Sequence, residues 1–123
     1  MQSNPVCWFE IYVQDLGRAK LFYETVLGTE LTELQMPEIE MLTFPMDMDG
    51  SGAAGALVKM DGFPSGGNST LVYFACEDCA TEASRVESAG GKIEKPKFSI
   101  GEYGFIALAV DTEGNMFGLH SQK

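Results

Sequence analysis

A single carboxylate, Glu10, stands in the middle of the apolar run Trp8-Phe9-Glu10-Ile11-Tyr12-Val13. Burying a charge among such side chains is costly, so the residue must reach water, find a partner or titrate abnormally. Two roles are open to it. Desolvation beside Trp8 would make it a general base near neutral pH, whereas a tyrosine hydroxyl or a water would satisfy it structurally. His120 is the chain's only histidine, and one histidine makes no metal site by itself. Cys76-Glu77-Asp78-Cys79 has the C-x-x-C spacing of redox and zinc sites, and "GSGAAG", Gly50 to Gly55, has the glycine spacing of a dinucleotide loop.

What these residues can do depends on the elements that carry them. Offsetting the chain against itself by 63 residues aligns "WFEIYVQDLGRAKLFYETVLG", Trp8 to Gly28, with "LVYFACEDCATEASRVESAGG", Leu71 to Gly91, without a gap. Each half has an apolar strand, an aspartate (Asp15, Asp78) and a helix, with a glycine thirteen residues after the aspartate (Gly28, Gly91). Aspartate accepts hydrogen bonds from the free N–H groups of a first helical turn, and glycine supplies the left-handed conformation that ends a helix. Leu16, Ala19, Phe22, Tyr23 and Val26 repeat at helical spacing, which gives the first helix one buried face. Helices are expected near 16–27 and 79–89. Short β-like runs come after each helix, at 29–34, 40–46 and 54–60 and at 92–100, 104–110 and 115–120, separated by turn-rich segments. The expected organisation is one domain over 1–123: module 1 at about 6–60, a linker at 61–69 and module 2 at about 70–121, each module βαβββ.

On these elements two motifs lose their chemistry. "GSGAAG" leads into a short strand and then a turn, whereas a dinucleotide fingerprint needs a helix to present its N-terminus to pyrophosphate. In the repeat, Cys76 and Cys79 correspond to Val13 and Leu16, so packing is the reading preferred for both thiols.

Bulk composition narrows the partners. With 18 acids against 8 bases, the net charge of −10 repels nucleic acid and anionic lipid alike. No apolar run reaches membrane-spanning length, no secretory leader is evident, and three cysteines suit a reducing compartment, so a cytoplasmic setting is expected.

The segments "QDLGRAKLFYETVLG", the aspartate-led helix ending "AGG" and "DTEGNMFGLH" together resemble the vicinal oxygen chelate superfamily. That superfamily holds glyoxalase I, bleomycin- and fosfomycin-resistance proteins and extradiol dioxygenases. The resemblance implies an α+β fold of two tandem βαβββ modules forming a concave, partly closed mixed β-sheet with helices outside. It also implies four metal-ligand positions, at the first and last strand of each module. Here those positions carry Trp8, Leu71, Gly118 and an apolar residue of "GALVKM", none of which donates to a hard or borderline cation. No metal and no cofactor are therefore expected.

If Trp8 points into the cavity as the resemblance implies, strand alternation sends Glu10 and Tyr12 the same way, with Leu71 and Tyr73 from the second module and Met116, Gly118 and His120 from the last strand. An aromatic-lined pocket with a few polar groups has the composition of a small-molecule site. The expected function is metal-free binding of a small apolar or aromatic molecule by a glyoxalase-like protein, expected to be a homodimer. The alternative is a lactoylglutathione-lyase-related or dioxygenase-like enzyme with Glu10 as acid or base, assisted by Tyr12 or His120. Whether the modules pair within one chain or across a dimer is left open by the sequence.

Overall fold

The computed structural model describes residues 4–37, 39–47 and 49–123; residues 1–3, Glu38 and Met48 of the expected domain lie outside the described residues. The first unit runs β1 (Trp8–Tyr12), α1 (Leu16–Leu27), β2 (Thr32–Met36), β3 (Ile39–Thr43) and β4 (Ala54–Lys59). The second runs β5 (Tyr73–Ala75), α2 (Cys79–Val86), β6 (Lys92–Ser99), β7 (Phe105–Val110) and β8 (Met116–Ser121). Both helices begin as their aspartates require: Asp15 accepts from the Arg18 N–H and Asp78 from the Ala80 N–H, each at 3.0 Å. At the other end of α1, Gly28 takes φ +66° and donates its N–H to the Glu24 carbonyl. The second helix stops earlier than expected, at Val86, and its left-handed glycine is Gly90 rather than Gly91. Gly91 is needed for another reason: a Cβ there would press on the Val110 carbonyl and the Phe22 ring.

The α+β class and the two βαβββ modules are as expected, and the mixed sheet structure is open rather than closed. Among the described residues the strands form two four-stranded sheets, ordered β1-β4-β3-β2 and β5-β8-β7-β6. In each, the first strand pairs in parallel with the last while the others are antiparallel. Side chains hold the two units together where a continuous ladder would otherwise run. Phe9, Phe22, Tyr23, Phe44, Phe74 and Phe117 form an aromatic cluster with neighbouring centroids 5.0–6.0 Å apart, drawn from both units. Four of these rings, those of Phe22, Tyr23, Phe44 and Phe117, are buried; full burial of one such side chain contributes about 1.5–3 kcal/mol. Cys76 and Cys79 pack against the same core, as expected for the C-x-x-C pair. Burial and the nearby Glu82 push the Cys76 thiol up to about 12, which removes thiolate chemistry at neutral pH.

A polar staple completes the junction. The β7–β8 turn, Asp111 to Asn115, sends the buried Glu113 carboxylate into the β1–α1 corner, where it accepts the backbone N–H groups of Gln14 and Asp15 at 2.9 and 3.0 Å. Arg18 closes on the same carboxylate with a two-pronged contact at 2.6 and 3.0 Å. Burial pushes this carboxyl's pKa upward, but Arg18, the two backbone donors and the Thr112 hydroxyl outweigh it and hold the value at about 2. Beside it, the buried Tyr23 hydroxyl donates to Asp111 at 2.6 Å, and the Asn115 amide donates to the Tyr12 carbonyl at 2.9 Å. The β1 edge is thus satisfied by a side chain of the second unit. Among the described residues no helix is long and apolar enough to cross a membrane.

Candidate functional site

Strand alternation sorts β1 as its pattern requires. Ile11 and Val13 enter the main core with Phe9 against it, whereas Trp8 and Tyr12 pack on the opposite face with Met41, Ala56 and Val58. Glu10 lies on that second face and is exposed. Its two oxygens are taken separately: Trp8 Nε1–H donates to Oε2 at 3.2 Å and the Tyr12 hydroxyl donates to Oε1 at 2.8 Å. Accepting that bond, the Glu10 carboxylate raises the Tyr12 hydroxyl's pKa, with burial adding to it, so the phenol keeps its proton. The outer face of Tyr12 is covered by Phe63, whose ring stacks at 5.1 Å and 20°.

An open pocket of about 340 Å³ lies along the seam between β1 and β8. Glu10, Tyr12 and Met116 line it together, with Asn68 and Thr70 from the connecting segment forming its polar wall. Asn68 is held there by Met116: its amide donates to the Met116 carbonyl at 2.9 Å and its carbonyl accepts the Met116 N–H at 2.8 Å. Trp8 is joined to this site through Glu10. The other expected residues belong to the second sheet. Tyr73 lies across Gly118, where any Cβ would overlap its ring, and Leu71 precedes the strand. His120 pairs with Ala75 in register and donates Nε2–H to the Tyr103 carbonyl at 2.7 Å, a bond that fixes the tautomer because a carbonyl only accepts.

The strand register also identifies the fourth superfamily ligand position. Glu10 pairs with Ala56 as Tyr73 pairs with Gly118, so Ala56 is the first-unit counterpart of Gly118. Trp8, Ala56, Leu71 and Gly118 offer no side-chain donor, and among the described residues no group of three His, Cys, Asp or Glu is placed to hold an ion. These residues do not fit the metal that the superfamily commonly uses.

Sequence reasoning missed the Asn68 and Thr70 wall and the Glu113 staple. Asn68 lies in a segment that reads as linker, and its neighbour Met116 is brought to it only by the fold. For Glu113 a signal existed, since the D-x-x-G-N turn carries an acid between its Asp111 and Asn115 anchors, but its partner Arg18 is 95 positions away in sequence.

Comparisons with known proteins agree with this geometry. Residues 6–45 match the family model for the bleomycin resistance protein-like N-terminal region. A curated relative, "Putative glyoxylase CFP32" of Mycobacterium tuberculosis, is 27% identical over 96% of this chain, and the chain spans 44% of that protein's length. Glyoxalase I from Zea mays superposes with a TM-score of 0.74 at 24% identity, over 96% of this chain and 46% of its own. TnmS3, an antibiotic binding protein from Streptomyces sp. CB03234, superposes with a TM-score of 0.68 at 25% identity, over 100% of this chain and 99% of its own. The fold is that of the glyoxalase and bleomycin-resistance proteins. The partial family match and these relatives support a place among the glyoxalase-like proteins of the vicinal oxygen chelate superfamily.

Proposed function

We propose that this protein binds a small apolar or aromatic molecule in the seam pocket without a metal, and that Glu10, Tyr12 and Met116 make the primary contacts, with Trp8 at the pocket's edge behind Glu10. The observation that carries the reading is the pocket itself, where an exposed carboxylate is held by two aromatic donors beside an apolar sheet face. The likeness to TnmS3, an antibiotic binding protein, over the full length of both chains supports small-molecule binding. In this reading residues 1–123 act as one domain of two modules, about 6–60 and 70–121, joined by 61–69. Leu71, Tyr73, Gly118 and His120 form the second ligand-facing surface, brought against the first by a homodimer in a cytoplasmic setting.

Enzymatic use of Glu10 as acid or base, in lyase-like or dioxygenase-like chemistry, is the second reading, and the Tyr12 hydroxyl at 2.8 Å is the feature that favours it. Solvent exposure of Glu10 weighs toward binding. The deciding experiment is a thermal-shift screen of aldehydes, thioether conjugates, aromatics and antibiotics, with elemental analysis of protein purified without chelator. A ligand present at 100 times its Kd stabilises by about 2.7 kcal/mol. Stabilisation of metal-free protein with no product formed supports the binding reading; no stabilisation by any class, or a stoichiometric metal needed for it, removes it.

A further inference from the structure

The pocket's lining carries one formal charge. Among Glu10, Tyr12, Asn68, Thr70, Met116 and the remaining wall residues there is no lysine, arginine or histidine. No cationic side chain pairs with Glu10 among the described residues, although Lys and Arg partner Glu24, Asp78, Glu94 and Glu113 elsewhere. The carboxylate is instead anchored by two neutral donors, Trp8 and Tyr12, which orient it without neutralising it. Anchoring of this kind leaves a fixed negative charge beside aromatic and aliphatic surface, inside a chain whose net charge is already −10.

From this charge balance, and resting on the reading of the seam pocket as a ligand site, we infer that the ligand is an organic cation, with a protonated amine on a flat apolar body and Glu10 as its counter-ion. Charge-assisted hydrogen bonds to a carboxylate are the stronger kind, and a nearby aromatic ring adds cation–π attraction. Anionic ligands, including carboxylate-rich thioether conjugates, meet only repulsion there. An inorganic divalent ion is a poor occupant, because a hard cation takes six or more oxygens and the pocket supplies one carboxylate.

The chain's single tryptophan makes this measurable. In ¹⁵N-labelled protein the one indole resonance belongs to Trp8, whose N–H points at Glu10. It is titrated at pH 7 with tryptamine, its neutral analogue tryptophol and the anion indole-3-propionate. Tryptamine is expected to move that resonance with a Kd about three- to ten-fold lower than that of tryptophol, the range of a partly exposed ion pair, and indole-3-propionate to bind weakest. In Glu10→Gln the tryptamine and tryptophol affinities converge to within about two-fold. Glu87→Gln, which removes the same charge from an exposed position just past the end of α2, keeps the preference. Equal binding of tryptamine and tryptophol overturns the cation inference while leaving the pocket reading intact. A preference that survives Glu10→Gln also overturns it, assigning the effect to net charge. No response to any of the three removes the pocket reading and the inference with it.

Discussion

The two modules put equivalent strands to different uses. In the first, β1 presents Trp8, Glu10 and Tyr12, and the facing residue of β4 is the small Ala56, so the surface stays open and carries a charge. In the second, Tyr73 takes the place of Glu10, lies over Gly118 and fills the groove, while His120 is tied to the Tyr103 carbonyl. A single change of residue at the Glu10/Tyr73 position, acting with the loss of a Cβ opposite, converts a polar recess into a covered one. Duplicated units can therefore keep one backbone and differ at the surface, one half open and charged and the other covered.

The division is most severely tested at the staple between the halves. Glu113→Ala is expected to cost about 2–3 kcal/mol, because it strands the Gln14 and Asp15 N–H groups and releases the half-exposed Arg18 guanidinium to solvent. Urea unfolding followed by Trp8 fluorescence, which reports the first module, and by far-UV dichroism should then lose coincidence; coincident, unshifted transitions would show that the aromatic cluster alone couples the modules. The same carboxylate sets an acid limit. Its folded pKa of about 2 lies below the ordinary value of 4.5, so its stabilisation is complete above the latter and is lost as pH falls toward the former. Glu113→Gln should flatten the stability profile in that window, as measured by urea midpoints across the acid range.

Tyr23→Phe comes next. Deleting a buried hydroxyl that donates to Asp111 should cost about 1–2 kcal/mol by the same denaturation measurement, with the sheets unchanged in far-UV dichroism. Gly118→Ala probes the covered groove: the added methyl displaces the half-exposed Tyr73 ring at about 1 kcal/mol, and the Tyr73 ring protons should shift toward solvent-exposed values. Unchanged ring shifts would mean that Tyr73 does not fill this groove in solution. The smallest effect on stability is expected at the open site, where Glu10→Gln should change the thermal midpoint by the equivalent of no more than about 0.5 kcal/mol. A loss several times larger would make Glu10 a structural residue and dissolve the contrast between the modules.

Much of the architecture is legible in the sequence because it rests on short-range rules. Asp15 and Asp78 cap their helices, Gly28 ends the first, and period-two alternation puts Trp8, Glu10 and Tyr12 on one face of β1. The motif pattern points to the superfamily for the same reason, since its anchors are turns and caps. Boundaries slip where tertiary packing intervenes. Alignment with Gly28 marks Gly91 as the helix terminator, yet Phe22 and Val110 crowd that position and Gly90 makes the turn.

What the sequence by itself determined is the content of each module: its order of elements, the parity of β1, and the lack of donor side chains at Trp8, Leu71 and Gly118. These come from residue type and local geometry, which act within a few positions. Tertiary structure alone decided how the modules meet. Arg18 with Glu113, Tyr23 with Asp111, Asn115 with Tyr12 and Asn68 with Met116 are pairs 48 or more positions apart, and no local rule selects one long-range partner over another. The seam pocket inherits that dependence, because Glu10 and Met116 become neighbours only when two separate four-stranded sheets are closed on a shared aromatic core.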